Sequence, residues 1–325
     1  MRPRSGSSST PLVTFGVPVF NGARYLEEAV RSLMAQTEGD FVILISDNCS
    51  TDETSDICAR LSGEESRITY VRQQSNIGTV RNFEYVLEMA KTPFFAWVAH
   101  DDLRAPAFLA TSLKLLQDAP GAVACSVGAR IIDESGSEVD QILPPQALSS
   151  TRPLERARAV SKRAQMAIYG VMRREAVPAD ARIGYFRGSD IAFVFSMALR
   201  RQIVTTNDLL ITYRLIDIDA KSRGSDALLY DGMRTPSAAY SSMMREVKRS
   251  SLPVFTMIRL HLHVASRWLA AAREAASTRN MQKIHRARVL RRYGVVSLRL
   301  PIQLLVGPRH IFVGLRGALH PATRR

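Results

Sequence analysis

The sequence predicts an α/β fold, a mostly parallel sheet covered by helices, followed by a basic and mainly helical C-terminal region. Two observations carry the first part of that statement and one carries the second. Short apolar runs alternate four times with stretches of helical periodicity in the first hundred residues, and a polar cluster follows each run. Such alternation requires crossover connections, and right-handed crossovers give a parallel sheet with both faces covered. Beyond Tyr230, Lys and Arg outnumber Asp and Glu by 18 to 3.

Residues 12–19 form a β-rich apolar run. Asn21-Gly22 then turns the chain into a stretch with Leu26, Ala29, Val30, Leu33 and Met34 at helical spacing. Residues 41–45 are a second short strand, ending in Ser46-Asp47-Asn48. Its helix is announced by Ser50-Thr51-Asp52-Glu53, where Ser50 and Glu53 have capping-box spacing. Residues 68–71 give a third strand, Asn76-Ile77-Gly78 a turn, and residues 80–89 a third helix. A fourth strand at 94–98 runs directly into His100-Asp101-Asp102. Residues 122–132 read as a further strand that Asp133-Glu134-Ser135-Gly136 can reverse, while 154–166 and 189–199 read as helices. From Met243 onward, helical segments rich in Arg, Leu, Val and Ala are broken by Pro253, Gly294, Pro301 and Pro308.

The formal charge of +14 suggests a nucleic-acid binder until the chain is divided. Residues 1–230 hold 26 bases against 27 acids, so the basicity belongs to the last 95 residues. The expected organisation is a lead-in at 1–11 with no apolar signal region, a catalytic module at 12–230 and a basic helical region at 231–325. An apolar content of 46% excludes a mainly disordered chain. Cys49, Cys58 and Cys125 cannot all pair and have no zinc or redox spacing, which fits a reducing, cytoplasmic setting. No apolar run reaches the roughly 18 residues that a membrane span needs.

In an open parallel sheet the ligand sits at the carboxyl ends of the strands. Asp47, the stretch from Asn76 to Arg81, and Asp101-Asp102 all fall on that edge and can face one pocket. Adjacent carboxylates at a strand end suit Mg or Mn, which takes one or two protein carboxylates and completes its shell with phosphate and water. The alternative is that Asp101-Asp102 caps a helix beginning near Pro106.

Four pieces in order, Val17-Pro18-Val19-Phe20-Asn21-Gly22, the run from Ser46 to Asp52, Asn76-Ile77-Gly78 and Trp97-Val98-Ala99-His100-Asp101-Asp102, resemble the family 2 glycosyltransferases of GT-A fold, which is Rossmann-like. The resemblance covers about residues 12–220. It implies a nucleotide-diphosphosugar donor, a divalent cation (Mn or Mg), and inverting single-displacement transfer to an acceptor hydroxyl. By position it implies that Pro18, Phe20 and Asn21 line the nucleoside and that Asp47 accepts a hydrogen bond from the base. Asn76, Gly78 and His100 fall on the donor side, and Asp101, with Asp102, is the metal ligand. Arg81 can offer phosphate its fork and the dipole of the third helix; the alternative is a solvent-facing arginine.

Inversion needs one carboxylate to take the acceptor proton. The resemblance places it at Asp190, in Gly188-Ser189-Asp190, with Asp208 as the second candidate. Two positions depart from the family pattern. Ala99 stands where many members have a first carboxylate, and Ile216, after Tyr213-Arg214-Leu215, stands where many have a His; Asp217 or Asp219 are candidate substitutes. His261 and His263 read as surface residues, Trp97 as core and Cys125 as an inert buried thiol.

In the tail, Val254, Ile258, Leu262, Ala265 and Leu269 recur at near-helical spacing with Arg259, Arg267 and Arg273 between them, and 295–319 repeats the pattern. Arginine-rich amphipathic helices favour an anionic membrane surface, here the inner face of the cell membrane, where a lipid-linked or saccharide acceptor would be met. Packing on the catalytic module or a homodimer contact is the alternative. Few aromatics and no binding motif argue against nucleic acid. Two functions thus stand: a glycosyltransferase of polysaccharide or glycolipid synthesis, or a catalytically weak nucleotide-sugar-binding scaffold of the same fold. A nucleotidyltransferase would show a Gly-rich basic loop after the first strand, and residues 18–22 lack one.

Overall fold

The computed structural model describes residues 11–160, 164–177 and 189–216, with scattered positions between 242 and 260. The chain divides into two compact units, Met1–Trp268 and Leu269–Arg325, and every described residue lies in the first.

Strand β1 (Val13–Val19) is buried along its whole length. This continuous burial, rather than alternation, is what a parallel strand covered on both faces requires. β1 pairs in parallel with β2 (Phe41–Asp47) and β4 (Phe94–Trp97), and β2 pairs in parallel with β3 (Ile68–Arg72). The crossovers are α1 (Ala23–Met34), α2 (Thr54–Glu64) and α3 (Thr79–Met89). α1 buries Leu26, Ala29, Val30 and Leu33, the apolar stripe read in the sequence.

The second half adds β5 (Leu103–Arg104), α4 (Phe108–Asp118), β6 (Ala124–Ile132), β7 (Glu138–Ile142), α5 (Pro153–Val160), β8 (Met172–Arg173), α6 (Ser189–Arg200) and β9 (Ile203–Arg214). One sheet results, in the order β3-β2-β1-β4-β8-β6-β9-β5, with β7 on β6. β8 runs antiparallel to β4 and β6, β6 runs parallel to β9, and β9 runs antiparallel to β5. Trp97 is core: its ring meets Phe95 and Phe193 edge-on, and its Nε1 donates to the Phe83 carbonyl at 2.9 Å.

Three expectations are corrected. The capping box does not form: the Ser50 hydroxyl accepts the Asn21 amide, the N-cap position of α2 is Glu53, and Asp52 before it accepts the amide of Thr54, the first residue of α2, on Oδ1 at 3.1 Å. Of the helix read at 154–166, α5 covers Pro153–Val160, residues 161–163 lie outside the described residues, and Ala164–Tyr169 is a 3-10 helix. α4 starts at Phe108 with Ala107 at its cap, so Asp101 and Asp102 do not cap it. The turn after β6 does reverse the chain, into β7.

The compact unit extends past Tyr230, where the charge changes. Val247 and Leu260 are fully buried, and Glu246 accepts hydrogen bonds from Ser196 and Arg200 of α6. The lead-in before residue 11, the tail helices, His261 and His263 lie outside the described residues, as do Asp217 and Asp219. Among the described residues no helix is long and apolar enough to cross a membrane.

Candidate active site

The parallel strands end level with one another: Val19 is opposite Asp47, and Asp47 opposite Arg72. The loops beyond them are bonded together. Asn21 adopts a left-handed φ of 49°, which its short polar side chain tolerates, and its Oδ1 accepts the Thr51 amide at 2.8 Å. The first amides of α1 are also claimed by the α2 loop: Gly22 donates to Thr54 Oγ1 at 2.9 Å and Ala23 to Asp52 Oδ2 at 3.1 Å. Burial raises the Asp52 carboxyl, but bonds from Thr54 and the Ala23 amide outweigh it and hold the group below its usual range. Buried Asn82 ties α3 to β2, its Nδ2 donating to the Ser46 carbonyl and its Oδ1 accepting from the Ser46 hydroxyl.

Pro18 is buried within β1 and Phe20 is half-buried at its end. Asp47 is fully buried; its Oδ1 accepts the Ser50 amide at 2.8 Å and its Oδ2 the Tyr70 hydroxyl at 3.1 Å, with Arg72 at 3.6 Å. Burial, and then the Asp47 charge, push the Tyr70 hydroxyl up to about 12. Asn76 is exposed, and its Oδ1 accepts Asn48 Nδ2 and the Gly78 amide. Gly78 has a φ of 89° that favours glycine. Arg81 forks onto Glu88 at 2.8 and 2.9 Å and touches Glu84 at 3.3 Å, so its guanidinium is held by carboxylates of its own helix.

The turn at 99–102 is closed by the Asp102 amide donating to the Ala99 carbonyl at 3.2 Å. His100 lies over the β1 loop: a Cβ on Gly22 would stand 2.6 Å from its Cδ2, which is why glycine is required there. Asp101 and Asp102 are both buried. Asp102 Oδ1 accepts the Arg214 amide at 3.0 Å, and Arg214 Nε donates to the Asp101 carbonyl at 3.4 Å. Arg104 is buried nearby and donates to the Trp97 carbonyl; burial lowers its guanidinium to about 10, opposed by the Asp102 charge, so it stays a cation at neutral pH.

Asp190 stands in the first turn of α6. Burial raises its carboxyl above the usual range, and the amides of Ile191 and of Asp190 itself only partly offset this. Half-buried Tyr169 brings the two acidic groups into one setting. Its ring lies 6.5 Å from that of Tyr213, and its hydroxyl is pushed well up by burial and by the charges of Tyr213, Asp102, Asp190 and Asp101. Asp208 is exposed six residues before the end of β9, about 20 Å from it at a strand's ~3.3 Å per residue, and does not join this group.

Sequence reasoning missed Tyr169, Arg104, Tyr25 and Glu28. Tyr169 ends a 3-10 helix with no local pattern to mark it, while Arg104 and Glu28 become visible only once β9 is laid against the 99–102 turn. Among the described residues there is no group of three or more His, Cys, Asp and Glu able to hold a metal. Mg and Mn ordinarily take one or two carboxylates and share their shell with phosphate, so the hard oxygens of Asp101 and Asp102 fit an ion held jointly with a substrate.

Residues 14–178 match the family model described as Glycosyl transferase family 2. A glycosyltransferase of Rickettsia typhi is 28% identical over 144 residues, 44% of each chain. A Bacillus subtilis protein described as the putative teichuronic acid biosynthesis glycosyltransferase TuaG is 27% identical over 140 residues, 43% of this chain and 55% of that one. The matched region thus spans about half or less of these relatives. Among solved structures, Staphylococcus aureus TarS 1-349 with UDP-GlcNAc superposes with a TM-score of 0.65 at 15% identity, covering 85% of this chain and 78% of that one. The mannosyltransferase PcManGT of Pyrobaculum calidifontis, with GDP-Man and Mn2+, gives 0.52 at 17% identity, covering 96% and 88%. These likenesses show the fold, the GT-A arrangement anticipated from the four motifs. The family match extends over about half the chain and spans both the bonded strand-end loops and the 99–102 turn, so the chain belongs to glycosyl transferase family 2.

Proposed function

We propose that the chain is a metal-dependent, inverting glycosyltransferase that moves a hexose from a nucleotide-diphosphosugar to an acceptor hydroxyl in polysaccharide or glycolipid synthesis. The observation that carries this reading is the buried pair Asp101 and Asp102 in the turn that follows β4, with the charge of Asp190 bearing, like theirs, on Tyr169. Asp190, ionised, takes the acceptor proton while the anomeric carbon is attacked from the face opposite the diphosphate, with no covalent intermediate. Its raised pKa makes it a stronger base than an ordinary carboxylate. A Mn or Mg ion held by Asp101, with Asp102 beside it, would supply neutralisation of the departing diphosphate.

On the donor side, Pro18, Phe20 and Asn21 border the nucleoside, and Asp47 receives the base while sharing its oxygens with Tyr70 and Ser50. Asn76, Gly78 and His100 line the rest, and Arg81 serves phosphate by releasing Glu88. UDP-GlcNAc in TarS and GDP-Man in PcManGT support a nucleotide-sugar donor. The basic region from 231 onward is proposed to hold the enzyme at the anionic inner face of the membrane, near its acceptor. The scaffold reading is favoured by the two departures from the family pattern, Ala99 in place of a carboxylate and Ile216 in place of a His. Turnover of a panel of nucleotide sugars with added Mn2+, lost in Asp101→Ala and Asp190→Ala, supports the enzyme; donor retention without turnover in the unaltered chain supports the scaffold.

A further inference from the structure

Ala99 has no polar side chain to hold the turn, which is closed by the Asp102 amide donating to the Ala99 carbonyl at 3.2 Å. The bracing comes from the far end of the chain fold. β5, directly after the turn, pairs with β9 so that Leu103 faces Thr212 and Arg104 faces Ile211. The next residues of β9 therefore arrive at the turn itself. Arg214 gives its amide to Asp102 Oδ1 at 3.0 Å and its Nε to the Asp101 carbonyl at 3.4 Å.

A guanidinium that is 6% exposed is costly unless it is paired. Glu28 of α1 accepts its terminal nitrogen at 2.8 Å, and the Tyr25 ring lies 4.5 Å from its Cζ. One side chain thus joins α1, β9 and the turn, in three directions that a planar fork reaches and an ammonium does not. We propose that Arg214, oriented by Glu28 and Tyr25, is a positioning residue that fixes the 99–102 turn and so aims the Asp101 carboxylate, the task a carboxylate at position 99 would otherwise share. The proposal rests on the reading of Asp101 as the metal ligand. It gives Arg214 no contact with substrate.

The test is a Mn2+ titration of the full chain, followed by the paramagnetic signal of free Mn2+, on the unaltered protein and on Asp101→Asn, Arg214→Met, Arg214→Lys and Glu28→Gln. Residues that orient a ligand typically govern 10- to 100-fold of metal affinity, so Arg214→Met is expected to weaken binding by about that factor. Arg214→Lys should fall between it and the unaltered chain. Glu28→Gln should weaken binding about threefold, the size expected for a half-exposed pair, and carries the test alone if Arg214→Met does not fold. Affinity unchanged in all three while Asp101→Asn abolishes it overturns the proposal. If the unaltered chain has no Mn2+ affinity, the metal reading fails separately, and amide exchange across residues 98–104 decides. Faster exchange in the Arg214 or Glu28 variants sustains the brace, and unchanged exchange overturns it.

Discussion

Asp190 carries opposing demands. Its carboxyl is desolvated in the first turn of α6, so its charged form is disfavoured there, yet the base it is proposed to be must be charged to act. A group whose pKa is raised on folding contributes its stability below the unfolded pKa, and that contribution is lost as pH rises through the folded value. Above the ordinary carboxylate range, the charge on Asp190 therefore works against the fold. Asp190→Asn is expected to melt higher than the unaltered chain at pH 7 in calorimetry, the difference vanishing near pH 4, while the acid limb of kcat/KM lies above the ordinary carboxylate range. An equal or lower melting temperature at pH 7 contradicts this. Asp190 and Asp101 are singled out by the family resemblance, because the motifs that hold them are local. Tyr169 escaped because its setting, beside Tyr213 of β9 and under the charges of Asp101, Asp102 and Asp190, is assembled from distant segments that no window of sequence records.

The elements show the same division. β1, β2 and β4 were readable because they are buried almost throughout, and α1 because its apolar stripe is clear; β3, at the sheet edge, is buried only in part. β5 and β8, two residues each, carry no periodicity, and their pairing is imposed by β9, β4 and β6. The misread capping box has a definite cause: Asp52 serves two helices, accepting from Thr54 at the start of α2 and from Ala23 at the start of α1. Losing a cap usually costs ~1 kcal/mol, so Asp52→Ala, which removes both, is expected to cost about 2 kcal/mol in urea unfolding. Because the Asp52 pKa is lowered on folding, its contribution is present above the ordinary carboxylate range and fades as pH falls through the folded value. The deficit of the variant should shrink in acid, and a pH-independent deficit would argue against the carboxylate bonds.

At the scale of the whole molecule, the charge of +14 separates into a near-neutral body and a basic remainder, but charge and compactness change at different places. The compact unit runs to Trp268, and buried Val247 and Leu260 belong to it although they lie in the basic stretch. Removing residues 231–325 is therefore expected to destabilise the body in thermal unfolding. Removing 269–325 should reduce co-sedimentation with anionic vesicles. Equal sedimentation of the full and the shorter chain contradicts the membrane role. This boundary was hidden in the sequence, because composition reports charge and not which apolar residues reach the core.

Asp101 and Asp190 are proposed to act on one donor in different ways. The most direct measurement is turnover of a retained nucleotide sugar with Mn2+, with the anomeric configuration of the product read by NMR, for the unaltered chain, Asp101→Ala and Asp190→Ala. The predicted result is an inverted product, a loss of about 10²- to 10⁴-fold for Asp190→Ala with donor retention intact, and loss of Mn2+-dependent turnover for Asp101→Ala. A product of retained configuration, or Asp190→Ala turning over at the unaltered rate, contradicts it.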